Sequence, residues 1–377
     1  MTLIARKSSE FTADCAILDQ SDKYMSTSAP QRKDITRLEI LIEQAVKRMS
    51  HENLLPPQNR RWPAVCVDRG CGDGDHATIL TDAFAQAIQI WSQGPVQTIH
   101  NDRVEIDLRR LARHINGVRP ETNRYTSQTE QSRTHAAYPL ISAGSFLDPL
   151  MPDNSVHMVV SNAALHWLDL GHVAGEAYRN DEASLQEIAH SQWEMFLRTV
   201  SRELVPGGRL VISQIGAASA SLREQHVPVR LVRLAAARIR RQLGFSESPN
   251  CPDWQVLPVY LRTRDEVLRP PRNKENLLSL STELCEAENV DCPCFAAWRQ
   301  HGCHRSFAAS FTNFIRAFSE WSVHSWLKQL VNDTDSHYQV SQLLDEFYQI
   351  IEQELRHSPE DWEMRRTRIV LVACRTD

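Results

Sequence analysis

Polar and glycine residues follow two apolar runs that are typical of buried strands. Residues 63–67 lead into a glycine-rich turn at residues 68–74, and residues 96–100 lead into Asn101-Asp102-Arg103. A glycine turn allows a ligand to approach the backbone closely, and the carboxylate of Asp102 can accept hydrogen bonds from both hydroxyls of a ribose. The two segments together predict a pocket for a nucleoside-containing ligand.

The residues of the glycine turn narrow the class of that ligand. The turn lacks the third glycine of the dinucleotide fingerprint, and Asp102 follows it later than the acidic residue of a dinucleotide fold does. Asp73 and Asp75 would repel a pyrophosphate, whereas a sulfonium compound with an amino group carries positive charge. The turn therefore favours S-adenosylmethionine, and the alternative is an ordinary tight turn with exposed aspartates.

A third candidate is the pair His166-Trp167, which comes shortly after the apolar run at residues 157–161. Both side chains carry ring nitrogens that can bind a polar substrate. Taken as a dipeptide alone, the pair is also compatible with a buried core. The pair follows the two strand ends in the sequence, and this order predicts a second pocket. The second pocket would bind the molecule that receives a group from the ligand of the first pocket.

The composition describes a globular protein without a polyanionic partner. Its 377 residues, 42% of them hydrophobic, suffice for a sizeable core. The net charge of -5 argues against nucleic acid as a partner, because phosphate affinity depends on clustered Lys and Arg. No uncharged apolar stretch approaches the ~20 residues that cross a bilayer, and charges interrupt the N-terminal segment. We therefore predict a cytoplasmic protein with reduced thiols and no membrane partner.

Alternating strand and helix patterns predict an α/β fold with a parallel sheet between helical layers. The strand candidates are residues 64–68, 96–101, 140–146, 157–161, 209–214 and 367–374. We predict a core over residues 1–220 that includes an N-terminal active-site segment, a mostly helical substrate cap over residues 221–335, and a C-terminal helix and strand over residues 336–377 that complete the core.

Seven short motifs occur in an order that resembles one family, the plant-type SABATH methyltransferases named after salicylate, benzoate and theobromine. The motifs are Tyr24-Met25-Ser26-Thr27-Ser28-Ala29-Pro30-Gln31, Asp68-Arg69-Gly70-Cys71, Asn101-Asp102-Arg103 with Asp107, Gly144-Ser145-Phe146, Leu165-His166-Trp167-Leu168, Glu203-Leu204-Val205-Pro206-Gly207-Gly208 and Phe314-Ile315-Arg316-Ala317. The resemblance spans nearly the whole chain. It implies a class I (Rossmann-like) methyltransferase fold, a seven-stranded mostly parallel sheet with an inserted helical cap.

The same resemblance assigns residues to the two pockets. It implies that S-adenosylmethionine is held by Tyr24, Ser28, Asp68, Gly70, Cys71, Asp102, Arg103, Ser145 and Phe146. It places Gln31, His166 and Trp167 at the acceptor, a small-molecule carboxylic acid. The Gln31 amide and the Trp167 indole N–H are donors, so they can bind a carboxylate without neutralising it.

The implied reaction needs little acid–base chemistry. A carboxylic acid with a pKa near ~4 is already ionised at neutral pH and is itself the nucleophile. The protein therefore has to hold donor and acid for a direct in-line transfer, and no covalent intermediate is expected. The product would be a methyl ester.

The chain departs from the family pattern at several positions. Arg69 and Arg103 stand where leucine is usual, and His76 stands where asparagine is usual. Ala163 occupies the place of a tyrosine in the substrate pocket, which predicts a larger or differently shaped acid. Asn180 and Asp253 match only in part the magnesium site of some relatives, and Val256 stands where a ligand side chain is expected, so we predict no required metal. The Cys and His residues of the cap, from Cys285 to His304, lack the spacing of a known zinc module.

Three alternative functions remain open at the level of the sequence. A relative that methylates a ring nitrogen would take a neutral heterocycle, and a dinucleotide-dependent oxidoreductase would bind NAD. A catalytically silent homologue would bind the donor without turnover. The sequence leaves the oligomeric state open, and homodimers are common in the family.

Overall fold

The computed structural model describes residues 29–57, 62–72, 78–104, 106, 108–115, 137–169, 182–245, 256–269, 279–331 and 337–377. Within these residues, seven strands form one sheet in the order β3-β2-β1-β4-β5-β7-β6. Their bounds are β1 (Ala64–Arg69), β2 (Val96–Asp102), β3 (Ala137–Ala143), β4 (Val156–Asn162), β5 (Leu204–Gly216), β6 (Leu280–Asp291) and β7 (Arg365–Arg375).

The sheet is mostly parallel. Each neighbouring pair among β1 to β5 is parallel, whereas β7 runs antiparallel to both β5 and β6. The strand order reverses between β1 and β4, and in open α/β sheets ligands bind at such a switch point, beyond the carboxyl ends of the strands. The predicted α/β class I methyltransferase architecture is confirmed, and the glycine turn after β1 lies at this position.

The helices lie before, between and after the strands. Their bounds are α1 (Ala29–His51), α2 (Ile79–Trp91), α3 (Leu108–Ile115), α4 (Glu182–Glu203), α5 (Val227–Gln242), α6 (Arg264–Val267), α7 (Pro293–His301), α8 (His304–Leu330) and α9 (His337–His357), with 3-10 turns at Ala220–Gln225 and Pro359–Trp362.

The two faces of the sheet build separate cores because side chains alternate along each strand. In β1, Ala64 and Cys66 pack with the apolar side chains of α1 and α2. Val65 and Val67 point to the other face and pack with α4, where Trp193 and neighbouring apolar residues cover them. With helices on both faces, the strand ends are left as the place for a ligand.

The predicted cap differs from expectation in one element. A further core joins α5, α7, α8 and α9, in agreement with a mostly helical region. However, the segment also contains β6, which forms the edge of the sheet beside β7. Most β6 side chains are at least partly exposed, so the segment has no apolar strand pattern, and its pairing with β7 places it in the sheet. The division at residues 220 and 335 stays a prediction.

None of the helices in the described part of the chain combines the length and the apolar character needed to span a bilayer. The cytoplasmic location stays a prediction.

Candidate active site

The carboxyl ends of β1, β2 and β3 form one structure, which we call the carboxyl edge (residues 68–72, 101–103 and 144–146). Asn101 at the end of β2 ties its neighbours together. Its carbonyl oxygen accepts hydrogen bonds from the N–H groups of Gly70 and Cys71, at 2.8 and 3.1 Å. Its side-chain amide donates to the carbonyls of Ser142 and Gly144, at 3.2 and 3.1 Å. The glycine turn and the loop after β3 are thereby fixed relative to Asp102.

Asp102 closes the glycine turn with its carboxylate. Oδ2 accepts a hydrogen bond from the N–H of Gly72 at 2.7 Å, and Oδ1 accepts one from the N–H of Arg103 at 2.8 Å. Each carboxylate oxygen has two lone pairs, so one oxygen can accept more than one hydrogen bond. The backbone thus fixes the direction of the Asp102 carboxylate.

Asp68 is the second carboxylate of the carboxyl edge and is 3% exposed. Among the described residues its Oδ1 has no hydrogen-bond partner. Burial, and then the nearby charge of Asp102, raise the pKa of Asp68 well above its ordinary value. Two close carboxylates, one with a free oxygen, favour a ligand that brings hydroxyl donors and a positive charge. S-adenosylmethionine has both, so these residues fit it.

Ser145 and Phe146 lie in the loop after β3, at the same edge. The Ser145 hydroxyl donates to Oδ2 of Asp169 at 2.7 Å and accepts a hydrogen bond from the N–H of Leu147 at 3.3 Å. Phe146 is half-buried and packs against the core on the α4 face. The loop is therefore held on both sides, and Ser145 reaches the segment after β4 through Asp169.

Arg69 has a structural role that the sequence did not reveal. Its guanidinium is fully buried and pairs with Glu203 at 2.5 Å. It also donates to the carbonyls of Phe146 and Asp148, at 2.6 and 3.1 Å. The arginine that departs from the family pattern thus joins the end of β1 to the loop that carries Ser145 and Phe146. Arg69 therefore helps to hold the loop after β3 in place.

Replacing Arg69 with leucine is expected to lower the free energy of unfolding by about 3 to 5 kcal/mol, because it leaves a buried carboxylate without its counter-charge. Glu203 would keep only its hydrogen bonds from the N–H groups of Leu150 and Met151, at 2.6 and 3.1 Å. Urea denaturation measures the loss. The double change Arg69→Leu with Glu203→Gln removes the unpaired charge and should recover part of it; a single-variant loss below about 1 kcal/mol would contradict this role.

The segment after β4 lies directly against the glycine turn. A methyl group added to Gly70 would come within 2.3 Å of the Cβ of Ala164. Ala163 adopts a left-handed conformation with φ of 54°, and its N–H donates to the carbonyl of Ser213 at 2.8 Å. A non-glycine residue in this conformation is uncommon and is often part of a functional site. The glycine turn therefore contacts the segment that carries the His-Trp pair.

Ala163, His166 and Trp167 of this segment line a pocket, which we call the His166 pocket. Its walls are mostly apolar, with Trp167, Val229, Leu257, Phe314, Phe318 and Met364 among the lining residues. Three further lining residues are polar: His166, His226 and Arg366. An apolar pocket with a few converging polar groups is typical of a small-molecule site.

Both histidines of the pocket are neutral. Burial, with the positive charges of Arg262 and Arg366 among the further causes, lowers the pKa of His166 to about 3. Burial and Arg366 lower the pKa of His226 to about 4. A neutral imidazole donates one hydrogen bond and accepts another. At physiological pH these groups can orient a substrate without carrying charge.

These lowered pKa values predict acid sensitivity. The pKa of His166 in the folded protein lies below the ordinary value of 6.5, so the unfolded chain binds more protons as the pH falls. The stabilisation is complete above pH 6.5 and declines as the pH drops toward about 3. His166 alone should account for about 2 to 3 kcal/mol between pH 6.5 and about 4.5.

His226 also makes the protein less stable in acid, because its pKa is lowered too. His157 has the same effect, because burial lowers its pKa to about 4. Urea titrations across this pH range test the prediction. The variant His157→Gln, which keeps an acceptor for the N–H of Val65 (3.1 Å in the wild type), should show a shallower pH dependence. Stability that stays constant between neutral pH and about 4.5 would contradict the account.

Aromatic contacts connect the pocket to the carboxyl edge. The ring of Trp167 lies 5.4 Å from that of Trp321 and 6.3 Å from that of Phe318, both in α8. The Arg103 guanidinium carbon lies 3.9 Å from the Trp321 ring centroid, a cation–π contact. Helix α8 of the cap therefore contacts both the His166 pocket, at Trp167, and the carboxyl edge, at Arg103. The predicted donor contact of Arg103 stays a prediction beside this observed one.

The structure describes only some of the remaining candidate residues. Gln31 lies in α1, but its side chain, like all of Tyr24 and Ser28, lies outside the described residues. So do Asp73, Asp75, His76 and Asp107. The Cys71 thiol donates to the carbonyl of Gly72 at 3.2 Å. The structure thus brings together Asp68, Gly70, Cys71, Asp102, Ser145 and Phe146 at one edge, and His166 and Trp167 beside it.

Sequence reasoning missed His226, Arg366 and Trp321. Each comes from an element that is distant in sequence from the motifs, and an isolated arginine or tryptophan gives no local signal of a pocket. Within the described part of the chain, no three Cys, His, Asp or Glu side chains are grouped to hold a metal.

A seven-stranded, mostly parallel sheet, with a glycine turn after β1, a carboxylate at the end of β2 and an adjoining apolar pocket, is typical of a class I methyltransferase fold. The comparisons narrow this class. The chain belongs to the SAM dependent carboxyl methyltransferase family, whose model matches residues 19–357. The resemblance seen in the motifs is thereby confirmed, and S-adenosylmethionine (SAM) is the donor that the family description names.

Individual relatives agree with this assignment. The chain is similar to methyltransferase FUS9 of Gibberella moniliformis, at 28% identity over 53% of this chain and 54% of the relative. It is similar to a probable jasmonic acid carboxyl methyltransferase of Theobroma cacao, at 27% identity over 51% of this chain and 55% of the relative. The chain thus spans about half the length of the curated relatives it matches. A solved loganic acid methyltransferase with SAH superimposes with a TM-score of 0.66 at 17% identity, covering 93% of this chain and 95% of the other, which shows a shared fold.

Proposed function

We propose that this protein transfers a methyl group from S-adenosylmethionine to the carboxylate of a small organic acid and releases a methyl ester. The observation that carries the proposal is that the carboxyl edge touches, at Gly70 and Ala164, the segment after β4, and that Ala163, His166 and Trp167 of this segment line the His166 pocket. A donor bound at the edge and an acid bound in the pocket would lie side by side. The family membership and the names of the relatives, which include jasmonic and loganic acid methyltransferases, support this choice.

The donor side of the proposal rests on the two carboxylates. Asp102 would accept the ribose hydroxyls, and Asp68, with its free Oδ1, would accept a hydrogen bond from a further donor group of the ligand. Bound S-adenosylmethionine would supply a methyl group on a positively charged sulfur, which a carboxylate can accept directly. Ser145 and Phe146 would line the same side, and Tyr24 and Ser28 would complete it from the N-terminal segment.

The acceptor side of the proposal rests on the residues that would orient the acid and on the charge around the pocket. Trp167 and His166, with Gln31, would hold the reacting carboxylate by hydrogen bonds. Holding both reactants in attack geometry can contribute ~7 to 11 kcal/mol of the barrier. Trp167, Trp321 and Phe318 would keep water away from the reacting carboxylate.

The charge around the pocket favours an acid over a neutral heterocycle. Arg262 and Arg366 are 3% and 2% exposed, and both lower the pKa of His166 through their positive charge. A positive potential attracts a carboxylate and gives no advantage to a neutral ring nitrogen. We therefore favour methylation of a carboxylic acid over methylation of a ring nitrogen.

Calorimetric titration of the purified protein tests both halves of the proposal. We expect S-adenosylmethionine and S-adenosylhomocysteine to bind, and NAD not to bind. In the presence of S-adenosylhomocysteine, aromatic and aliphatic acids should bind more tightly than their matched primary amides, which have nearly the same shape without the charge. Equal binding of acid and amide, or preference for a purine, would shift the assignment to N-methylation. Binding of NAD in place of the donor would overturn it.

A further inference from the structure

Asp169, in the segment after β4, is hydrogen-bonded to two other elements of the fold. Its Oδ2 accepts a hydrogen bond from the Ser145 hydroxyl, in the loop after β3, at 2.7 Å. Its backbone is held by the side chain of Gln192 in α4, which is 5% exposed. The N–H of Asp169 donates to Oε1 of Gln192 at 3.0 Å, and Nε2 of Gln192 donates to the Asp169 carbonyl at 2.7 Å. One buried amide therefore fixes the backbone from which the Asp169 carboxylate reaches Ser145.

This contact decides what the Ser145 hydroxyl can offer to a ligand. A hydroxyl has one hydrogen and two lone pairs, whereas an ionised carboxylate can only accept. The hydrogen between Ser145 and Asp169 therefore belongs to Ser145. One lone pair of the Ser145 oxygen accepts the N–H of Leu147 at 3.3 Å, and among the described residues no donor reaches the other. Toward a ligand, Ser145 can accept a hydrogen bond but cannot donate one.

The sheet topology indicates which part of the methyl donor would meet Ser145. Strand β2, which ends in Asp102, lies between β1 and β3. On the β1 side the glycine turn touches the acceptor segment at Gly70. On the β3 side the N–H of Gly144 donates to the carbonyl of Asp102 at 2.9 Å. With the ribose at Asp102, the chain that carries the methyl group would extend toward β1, and the adenine would extend toward Ser145.

We propose that Asp169, held by Gln192, is a positioning residue that keeps the Ser145 hydroxyl a hydrogen-bond acceptor and thereby selects a methyl donor whose base carries an amino group. This inference rests on the proposed function. The amino group of adenine would donate to Ser145. A base with a carbonyl oxygen in its place, as in hypoxanthine, would set two acceptors against each other, and a site rejects a ligand that leaves its polar groups unpaired.

The first test compares two ligands on the wild-type protein by calorimetry. S-adenosylhomocysteine and S-inosylhomocysteine differ only in the base, where a carbonyl oxygen replaces the amino group. We expect the adenosyl compound to bind about tenfold or more tightly. Equal affinities would overturn this inference and leave the proposed function standing. If neither compound binds, the proposed function is refuted, and this inference with it.

Variants then assign the preference to Asp169. Asp169→Asn supplies an amide that can donate to Ser145 and release the serine hydrogen toward the ligand. The two affinities should then lie within about threefold of each other. Asp169→Glu keeps a side chain that only accepts, so the preference should persist. The matched control is Asp153→Asn, at an exposed aspartate that pairs with Arg202, and it should keep the wild-type preference.

The ratio of the two affinities separates positioning from a structural role. A purely structural role of Asp169 would weaken both compounds by the same factor in Asp169→Asn, and an unchanged ratio overturns the proposal. If Asp169→Asn binds neither compound, Ser145→Ala and Asp169→Glu decide. The preference should then fall in Ser145→Ala, which has no hydroxyl to direct, and persist in Asp169→Glu; any other pattern overturns the proposal.

Discussion

Replacing Gly70 with alanine is expected to weaken the binding of S-adenosylmethionine about tenfold or more and to lower the free energy of unfolding by about 2 to 5 kcal/mol. Two effects add. Gly70 has φ of 79°, a conformation that costs any other residue about 1 to 2 kcal/mol. Its new methyl group would also lie 2.3 Å from the Cβ of Ala164, so the glycine turn or the segment after β4 must move.

A second glycine of the same turn provides the matched control. Gly72 has φ of 71°, but no atom of the described residues lies within 4 Å of the position its Cβ would take. Gly72→Ala should therefore cost only the backbone part, about 1 to 2 kcal/mol. Urea denaturation and calorimetric donor titration measure both variants. Equal losses in the two variants would show that the contact between Gly70 and Ala164 does not join the two sites.

Replacing Asp102 with alanine is expected to reduce the affinity for S-adenosylmethionine about 100-fold or more. The change removes the carboxylate that would bind the ribose. It also leaves the N–H groups of Gly72 and Arg103 without the acceptor that shapes the turn. Hydrogen bonds to a charged group contribute about 1.5 to 3 kcal/mol each, so loss of one ribose contact together with a disordered turn reaches this magnitude.

Calorimetry of two comparison variants makes the Asp102 result specific. Asp153→Ala removes an exposed aspartate that pairs with Arg202 far from the carboxyl edge, and it should leave donor affinity unchanged. Asp102→Asn keeps one acceptor oxygen and should fall between the wild type and Asp102→Ala. Donor affinity that stays within about threefold of wild type in Asp102→Ala would refute the assignment of Asp102 to the ribose.

The parts of the site that the sequence predicts are those with local signals. Gly70 and Asp102 each follow an apolar run directly, and the carboxyl ends of parallel strands meet at one edge of a sheet, so their proximity follows from the fold. The α/β class, five parallel strands and the C-terminal strand follow from the same periodicity. The family motifs identify Ser145 and Phe146, and both lie in the loop after β3.

The parts that could not be predicted depend on long-range packing. Arg366 and His226 come from β7 and the start of α5, which lie 140 positions apart in the chain, and no local pattern links them. Arg69 departs from the family motif in the sequence, whereas the structure pairs it with Glu203, 134 positions away. Strand β6 is largely exposed and rich in charges, so it has no apolar pattern that identifies it as a strand. Only its pairing with β7 in the structure does so.

The most direct test of the central claim is the analysis of the methylated product. The wild-type protein is incubated with S-adenosylmethionine labelled in its methyl group and with a panel of mono- and dicarboxylic acids, and the product is then treated with mild alkali. We predict label in an organic product, a mass increase of one methyl group, and release of the label as methanol, because methyl esters are hydrolysed under these conditions. Label that stays in an alkali-stable product, or no transfer to any acid despite donor binding, would contradict carboxyl methylation.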